Sequence, residues 1–295
     1  MNISKRHHYI SKFLIKGFVG DDGKLAIYDC KKKELKQKRM SPKQVLFEWD
    51  RNTFEKDSII SDFIEKSIKK TEDNFAPVYQ KMISKNYSLS FDDIFHLTFF
   101  IGFLDTYLPI RDKKNENEIF DSSLQDLLIS IINIQTGKKD INYKERLEEL
   151  KKEPAFIHAI KYNKFVREHI TKLSGEDLKN WYFFSSKRES ICSLLSDNPV
   201  ILRSPEVVSI YDSDFIFQLH KDVTIFHNKR KTIRRISTKN RRLINILTVL
   251  QSNKMVCGSN LDYLSEIVES GNKIKSQGSV ENFREYVFQC LENDF

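Results

Sequence analysis

A histidine–tyrosine pair near the N-terminus is the first candidate for chemistry. His8 and Tyr9 are followed by Lys12 and Phe13. An imidazole can act as general acid or base near neutral pH, and the pair is joined by a hydroxyl donor and a cation. We predict that His8 and Tyr9 are catalytic and that Lys12 contacts phosphate. In the structural alternative, Tyr9 and Phe13 anchor the N-terminal segment, while His8 caps a strand or bonds a buried carbonyl group.

A second candidate is the turn Ser196-Asp197-Asn198-Pro199, which lies between two apolar stretches. The residue before a proline is held extended, so the turn can present Asp197 and Asn198 to a cleft. Asp197 could orient a histidine, bind a metal or act as a base, or it could only cap the turn. We include both residues in the catalytic set, together with His220, which could face the same cleft from the end of a predicted strand.

The strongest local signal is the basic stretch, residues 229–242. No acidic residue occurs between Asp222 and Asp262, in a chain that has 41 carboxylates. Clustered cations bind phosphates by displacing condensed counterions. The predicted phosphate contacts in this stretch are Arg230, Arg234, Arg235, Arg241 and Arg242. In the structural alternative, the stretch is a solvated loop or pairs with acidic helices elsewhere in the fold.

Composition narrows the class of protein. The 295 residues carry 49 Lys and Arg against 41 Asp and Glu, a net charge of +8, which favours polyanionic partners. The four cysteines are scattered without metal-ligand spacing, so we predict free thiols in a reducing cytosol, a cytoplasmic location and no zinc ribbon or finger, and we assign no residue as a metal ligand. No apolar run of about 18 residues is present, so we expect no membrane partner.

Several motifs are missing from the chain. It has no P-loop, no dinucleotide fingerprint, no Gly-x-Ser-x-Gly elbow and no His-Glu-x-x-His. Their absence counts against kinases, ATPases, dehydrogenases and the common hydrolases. It counts less against a small nuclease, which needs only a few His, Lys, Tyr and acidic residues without a fixed pattern.

Hydrophobic periodicity predicts an α+β fold in one compact domain, residues 1–295. Residues 1–55 read as β-rich, 56–180 as helical and 181–295 as mixed, and we expect the first and last segments to share a mixed sheet, with the helical segment as an insertion. Ser90-x-x-Asp93 predicts a helix start. Pro77 predicts a kink or break in the helix before it, and residues 124–134 predict a further amphipathic helix.

The chain resembles a large bacterial family of unknown function. The residues that carry the resemblance are His8-Tyr9-Ile10-Ser11-Lys12-Phe13-Leu14 and, later, Ser196-Asp197-Asn198-Pro199-Val200. Family members typically have proline where this chain has Ser11, and an arginine-containing stretch where it has Asp105-Thr106-Tyr107. The resemblance implies no activity. It implies only that His8, Tyr9, Asp197 and Asn198 are the distinctive polar positions.

Three functions remain open from the sequence. The first is a nuclease, acting on RNA rather than DNA, in a bacterial toxin or anti-phage defence setting. The second is a non-catalytic module that binds nucleic acid or a protein partner through the basic stretch. The third is an enzyme that acts on a phosphorylated small molecule or nucleotide. Whether a cofactor such as Mg²⁺ takes part is left open. Metal-free RNA cleavage needs a base, an acid and a cation, and the chain contains all three.

Overall fold

The computed structural model describes most of the chain. The described residues are 5–52, 54–56, 59–61, 63–123, 130, 132, 136–139, 142–166, 170, 174–175, 178–185, 191–207 and 209–294, and only the backbone is described at 54–56, 59–61 and 63.

Strands dominate the first part of the chain, helices the middle, and the last part has both. The strands are β1 (Arg6–His8), β2 (Ala26–Asp29), β3 (Glu34–Leu35), β4 (Phe47–Trp49), β5 (Phe54–Lys56), β6 (Ile59–Ser61), β7 (Trp181–Ser185), β8 (Leu195–Ser196), β9 (Val200–Leu202), β10 (Phe215–His220), β11 (Val223–His227) and β12 (Met255–Gly258). The helices are α1 (Lys12–Lys16), α2 (Phe63–Ile83), α3 (Phe91–Tyr107), α4 (Asp112–Asp121), α5 (Tyr143–Leu150), α6 (Pro154–Phe165), α7 (Thr238–Gln251), α8 (Leu261–Gln277) and α9 (Val280–Glu292).

Two four-stranded sheets organise the fold. The first has the order β3-β2-β12-β8 and therefore joins strands from the N-terminal and C-terminal segments, and the second has the order β7-β11-β10-β9. Every pairing in both sheets is antiparallel. The predicted α+β class with a sheet shared by the two ends of the chain is confirmed, although the shared sheet is antiparallel rather than mixed. Strands β1 and β4 form a separate antiparallel ribbon.

Both sheets are covered by helices on both faces. In β2, Ala26 and Tyr28 pack in a cluster with α7 and α8, whereas Ile27 packs with α1, α2 and α3. In β10, Ile216 packs against α7 and α9, whereas Phe215 contributes to the cluster on the opposite face. Because successive side chains of a strand point to opposite faces, a strand buried on both sides must be apolar almost throughout. This requirement explains the continuous apolar runs of the C-terminal segment.

The helical segment differs from its sequence-based prediction at one proline. Helix α2 runs without interruption through Pro77, so of the predicted kink or break, the break is wrong. Proline inside a helix costs about 3 kcal/mol because it removes one hydrogen bond and crowds the preceding turn. Phe75 and Val78, on either side of Pro77, are both buried in the largest core cluster. Their burial favours one continuous helix. The capping start at Ser90 is confirmed, with a reciprocal bond between Ser90 and Asp93.

Most of the helix predicted over residues 124–134 lies outside the described residues. None of the helices within the described ranges combines the length and the hydropathy that crossing a bilayer requires.

A buried arginine joins the second sheet to the C-terminal helix. Arg203 contacts Asp214 at 3.3 Å, Glu285 at 2.5 Å and Glu292 at 2.5 Å. Asp214 and Glu292 are themselves buried. The guanidinium therefore compensates two carboxylates that water does not reach well.

We expect Arg203→Met to lower the free energy of unfolding by about 3 to 5 kcal/mol, because buried carboxylates lose their counterion. The matched control is Arg146→Met, since Arg146 forms an exposed pair with Glu149 at 3.3 Å, and there the loss should stay below about 1 kcal/mol. Urea unfolding of the two variants measures both values. Equal losses would show that the Arg203 network does not hold α9 to the sheet.

Candidate active site

His8 ends strand β1 and is half-buried. Its Nε2 lies 3.3 Å from the carbonyl oxygen of Pro42, so the N–H is on Nε2 and Nδ1 carries the lone pair. Nδ1 is buried and has no hydrogen-bond partner among the described residues. Burial, together with the charges of Lys12 and Arg6, lowers the pKa of His8 to about 4. At neutral pH, His8 is therefore an uncharged imidazole with an unpartnered basic nitrogen.

A small pocket adjoins His8. Its walls come from the N-terminal segment, the residues after β4, and the facing sides of α2 and α3. Its volume is about 20 Å³, enough for one water molecule. The lining residues include His8, Tyr9, Ser11, Arg51, Asn52, Thr71, Glu72, Phe103 and Tyr107.

Glu72 supplies the acidic group of this pocket. Burial raises its pKa, and the neighbouring carboxylates Glu65 and Asp73 act in the same direction, whereas a hydrogen bond from Ser11 and the charge of Lys12 oppose the rise. Lys12 therefore influences both Glu72 and His8. The sequence-based search missed Glu72, although one signal was present. It lies four residues after Ile68 and eight after Ile64, on the apolar face of α2.

Tyr9 connects this pocket to the second sequence motif. Tyr9 is buried, and burial followed by the charge of Asp197 raises its pKa. The side chain of Lys254 lies over the Tyr9 ring at 5.4 Å. The structure thus brings the two distinctive motifs together at Tyr9. No hydrogen bond or ion pair joins His8 to Asp197 within the described part of the chain.

The carboxylate of Asp197 accepts hydrogen bonds from backbone N–H groups. Its Oδ1 accepts N–H bonds from Asn253 at 3.2 Å, Lys254 at 3.0 Å and Met255 at 3.1 Å. Burial raises the pKa of Asp197, although these N–H groups act in the opposite direction. The carboxylate holds the turn between α7 and β12, which is distant in sequence, whereas the structural alternative had Asp197 cap its own turn.

The remaining predicted catalytic residues have other neighbours. The backbone N–H of Asn198 donates to Ser196 Oγ at 3.2 Å, and its side chain is buried beside Gln251. The Nδ1 atom of His220 accepts from the Asp222 N–H at 3.2 Å. His220 packs so closely against Gly17 that a Cβ at Gly17 would lie 2.8 Å from its ring. Neither Asn198 nor His220 lines the His8 pocket.

A charged cluster behind the pocket was not predicted. Arg51 lines the pocket and donates to Glu48 at 2.6 Å and to Asp112 at 2.8 Å. Asp112 also accepts from Lys161 at 3.0 Å, while Glu48 pairs with Lys254. The cluster links α4 and α6 to β4 and to the turn that Asp197 holds. Its members come from distant segments, so no local pattern could reveal it.

The basic stretch lies between β11 and α7 and continues into α7, and most of its arginines have carboxylate partners. Arg230 lies 3.3 Å from Asp214, Arg235 lies 3.4 Å from Asp294, and Arg242 pairs with Glu266. These partners come from outside the acid-free gap in the sequence. The stretch is therefore less cationic in space than it is along the chain.

The other two arginines of the basic stretch differ from each other. Arg241 is buried, donates to Thr224 Oγ1 at 3.4 Å, and has its pKa lowered by burial. Arg234 is exposed. None of the predicted phosphate contacts lines the His8 pocket. Lys12 acts on the site only through the effect of its charge on His8 and Glu72. In the residues that the structure describes, no group of three or more His, Cys, Asp or Glu side chains could hold a metal ion.

Comparison with known proteins identifies the family of this chain but no individual relative. The model of the family described as "Protein of unknown function (DUF4238)" matches residues 6–262. No curated protein and no solved structure matches the chain. The expected resemblance to a family of unknown function is confirmed. The matched range contains both the His8-Tyr9 motif and the Asp197 turn.

We expect Asp197→Ala to destabilise the fold by about 3 kcal/mol, because three backbone N–H groups lose their acceptor. Asp21→Ala, at an exposed position, is the control and should change the free energy of unfolding by less than about 0.5 kcal/mol. Chemical unfolding measures both. If Asp197→Ala left the free energy of unfolding unchanged, the structural role assigned to this carboxylate would be wrong.

The lowered pKa of His8 predicts acid sensitivity. Well above pH 6.5, His8 is neutral in both folded and unfolded states and contributes nothing to the pH dependence. As the pH falls from 6.5 to about 4, the unfolded state takes up the proton first, so stability is lost. Allowing for the solvent exposure of His8, we expect about 1 to 2 kcal/mol from this residue.

Urea unfolding at several pH values between 4 and 7 tests this effect in wild type and His8→Gln. The variant should lose less stability than wild type over the same interval. His158, whose pKa is also lowered to about 4, titrates equally in both proteins and does not affect the difference. Parallel stability curves would contradict the assignment of a neutral His8.

Proposed function

The chain belongs to the DUF4238 family, and we propose that it is a ribonuclease whose acid–base residue is His8. The observation that carries the proposal is the state of the His8 ring. It is neutral, its Nε2–H is bound to Pro42, and its Nδ1 is unpartnered in the described structure. A general base needs a lone pair held in a defined direction, and this tautomer has one.

The local charge around His8 favours an anionic substrate. Both charged residues that shift its pKa, Lys12 and Arg6, are cations. An entering phosphate would offset these charges and would therefore raise the pKa of His8 toward neutrality. Binding of the substrate would thus strengthen the base at the moment when it is needed.

The proposed reaction is an internal transfer at phosphorus. For this reaction the pocket must open on substrate binding, because Nδ1 of His8 is buried in the unbound chain. The 2′-hydroxyl then loses its proton to Nδ1, and its oxygen forms a bond to phosphorus. The bond from phosphorus to the 5′-oxygen breaks, and that oxygen receives a proton from Glu72, whose raised pKa favours the protonated form. Lys12, which influences both residues, stabilises the charge that develops on the phosphoryl oxygens. The products are a 2′,3′-cyclic phosphate and a free 5′-hydroxyl.

Because the attacking group is the 2′-hydroxyl, the mechanism acts on RNA and not on DNA. We propose that this nuclease acts in a bacterial toxin or anti-phage defence system. The alternative is a non-catalytic module that binds nucleic acid or a protein partner. One observation supports it: Arg234 in the basic stretch is exposed. The alternative predicts binding without cleavage, so one assay separates the two functions.

The test is cleavage of total RNA, a single-stranded oligoribonucleotide and DNA of the same sequence. We expect wild type to cut RNA only, equally with Mg²⁺ and with a chelator. His8→Gln should reduce the rate by about a hundredfold or more. Glu72→Gln and Lys12→Gln should each reduce it, because they remove the acid and the cation.

His220→Gln is the matched control, since His220 is also a partly buried histidine but does not line the pocket. It should leave the cleavage rate unchanged. Analysis of the product ends should find the cyclic phosphate. If wild type cuts nothing, or if His8→Gln cuts as fast as wild type, the proposed ribonuclease activity is wrong. Cleavage only in the presence of Mg²⁺ would overturn the mechanism.

A further inference from the structure

The ribbon of β1 and β4 has two chemically different faces. In its antiparallel register, Arg6 lies opposite Trp49, His7 opposite Glu48, and His8 opposite Phe47. Directly opposed residues share a face, and alternate residues along a strand share a face. Arg6, His8, Phe47 and Trp49 therefore lie together, and we call this set the aromatic ribbon face.

The other ribbon face is turned toward the protein. His7 is buried, and its Nδ1 accepts from the Asn52 N–H at 2.9 Å. Glu48 is bound to Arg51 and Lys254. These contacts fix the ribbon to the charged cluster behind the pocket. The aromatic ribbon face must then point the opposite way.

The four side chains of the aromatic ribbon face pack as a continuous row. The ring centroids of His8 and Phe47 are 5.8 Å apart, and those of Phe47 and Trp49 are 5.7 Å apart. The guanidinium of Arg6 lies 4.4 Å from the Phe47 centroid and 4.9 Å from the Trp49 centroid. These cation–π contacts hold the two rings in place.

Trp49 is exposed despite these contacts, with 61% of its surface accessible. Indole is enriched at binding surfaces, because it combines a large apolar area with one polar N–H. Two exposed lysines, Lys5 and Lys43, adjoin the ribbon, against one exposed carboxylate, Asp50. Arg6 also donates to the Lys43 carbonyl at 3.1 Å, which brings Lys43 to the edge of the row. An aromatic ring flanked by cations suits a ligand with flat rings and negative charges.

We propose that the aromatic ribbon face is a stacking surface for the bases of single-stranded RNA, with Trp49 as its main contact. This part of the inference rests on the proposed function: the aromatic ribbon face would guide the RNA strand toward His8. Base–aromatic stacking tolerates any sequence, because every base has a flat face. Duplex RNA does not fit, since its bases already stack on one another and its grooves are read mainly through backbone contacts.

Binding of an oligoribonucleotide with 2′-O-methyl groups tests the surface independently of cleavage, because it has no 2′-hydroxyl to react. The chain contains two tryptophans, and Trp181 is only 7% exposed. We therefore expect the strand to quench Trp49 emission. Trp49→Ala should weaken binding by about tenfold or more, and Trp49→Phe should restore most of the affinity. Phe91→Ala is the control, because Phe91 is 68% exposed and lies at the start of α3. It should bind as wild type does.

The outcomes separate this surface from the nuclease proposal. Absence of single-strand binding, tighter binding of duplex than of single strands, or Trp49→Ala binding like wild type would each overturn the stacking surface. Weaker binding by Trp49→Ala in a protein that cuts no RNA would support the surface while the nuclease proposal fails. RNA cleavage by Trp49→Ala at the wild-type rate and KM would contradict delivery of the strand to His8.

Discussion

The pairing of β12 with β2 is the constraint on which the site depends. Met255 lies opposite Asp29 and Gly258 opposite Ala26, so the last strand of the chain is hydrogen-bonded to one of the first. On its other edge, β12 pairs with β8, the strand that leads into the Asp197 turn. The sheet therefore brings the C-terminal turn beside the N-terminal Tyr9. Because both sheet faces are covered by helices, the register is held by packing as well as by hydrogen bonds.

Charged side chains in the interior are paired, whereas the charges that act on His8 have one sign. Behind the pocket, Arg51 is balanced by Glu48 and Asp112, and in the second sheet Arg203 is balanced by three carboxylates. Paired charges of this kind are costly to break but have no remaining capacity for a ligand. At His8, the two charges that shift its pKa are both positive. Under the ribonuclease proposal, this local imbalance favours an anion at His8 rather than at the interior clusters.

The basic stretch shows how linear charge patterns can mislead. Its acid-free gap is real in sequence, yet Asp214, Glu266 and Asp294 approach its arginines in space from both sides of that gap. Ion pairing acts over a few ångströms and is indifferent to sequence separation. Most of the stretch therefore belongs to the structure of the C-terminal segment. The short motif at His8, which has fewer cations along the chain, has no carboxylate among the charges that shift the His8 pKa.

By itself, the sequence determined the α+β class, the sheet shared by the two ends of the chain, the helix start at Ser90, and the two motifs that meet at Tyr9. These follow from local periodicity, turn residues and capping, which act over a few neighbouring positions. Tertiary structure alone decided that α2 continues through Pro77, that Asp197 serves the backbone, and that Glu72 joins His8 in one pocket. Each of these outcomes depends on burial and on partners from distant segments, and neither is encoded in the spacing of nearby residues.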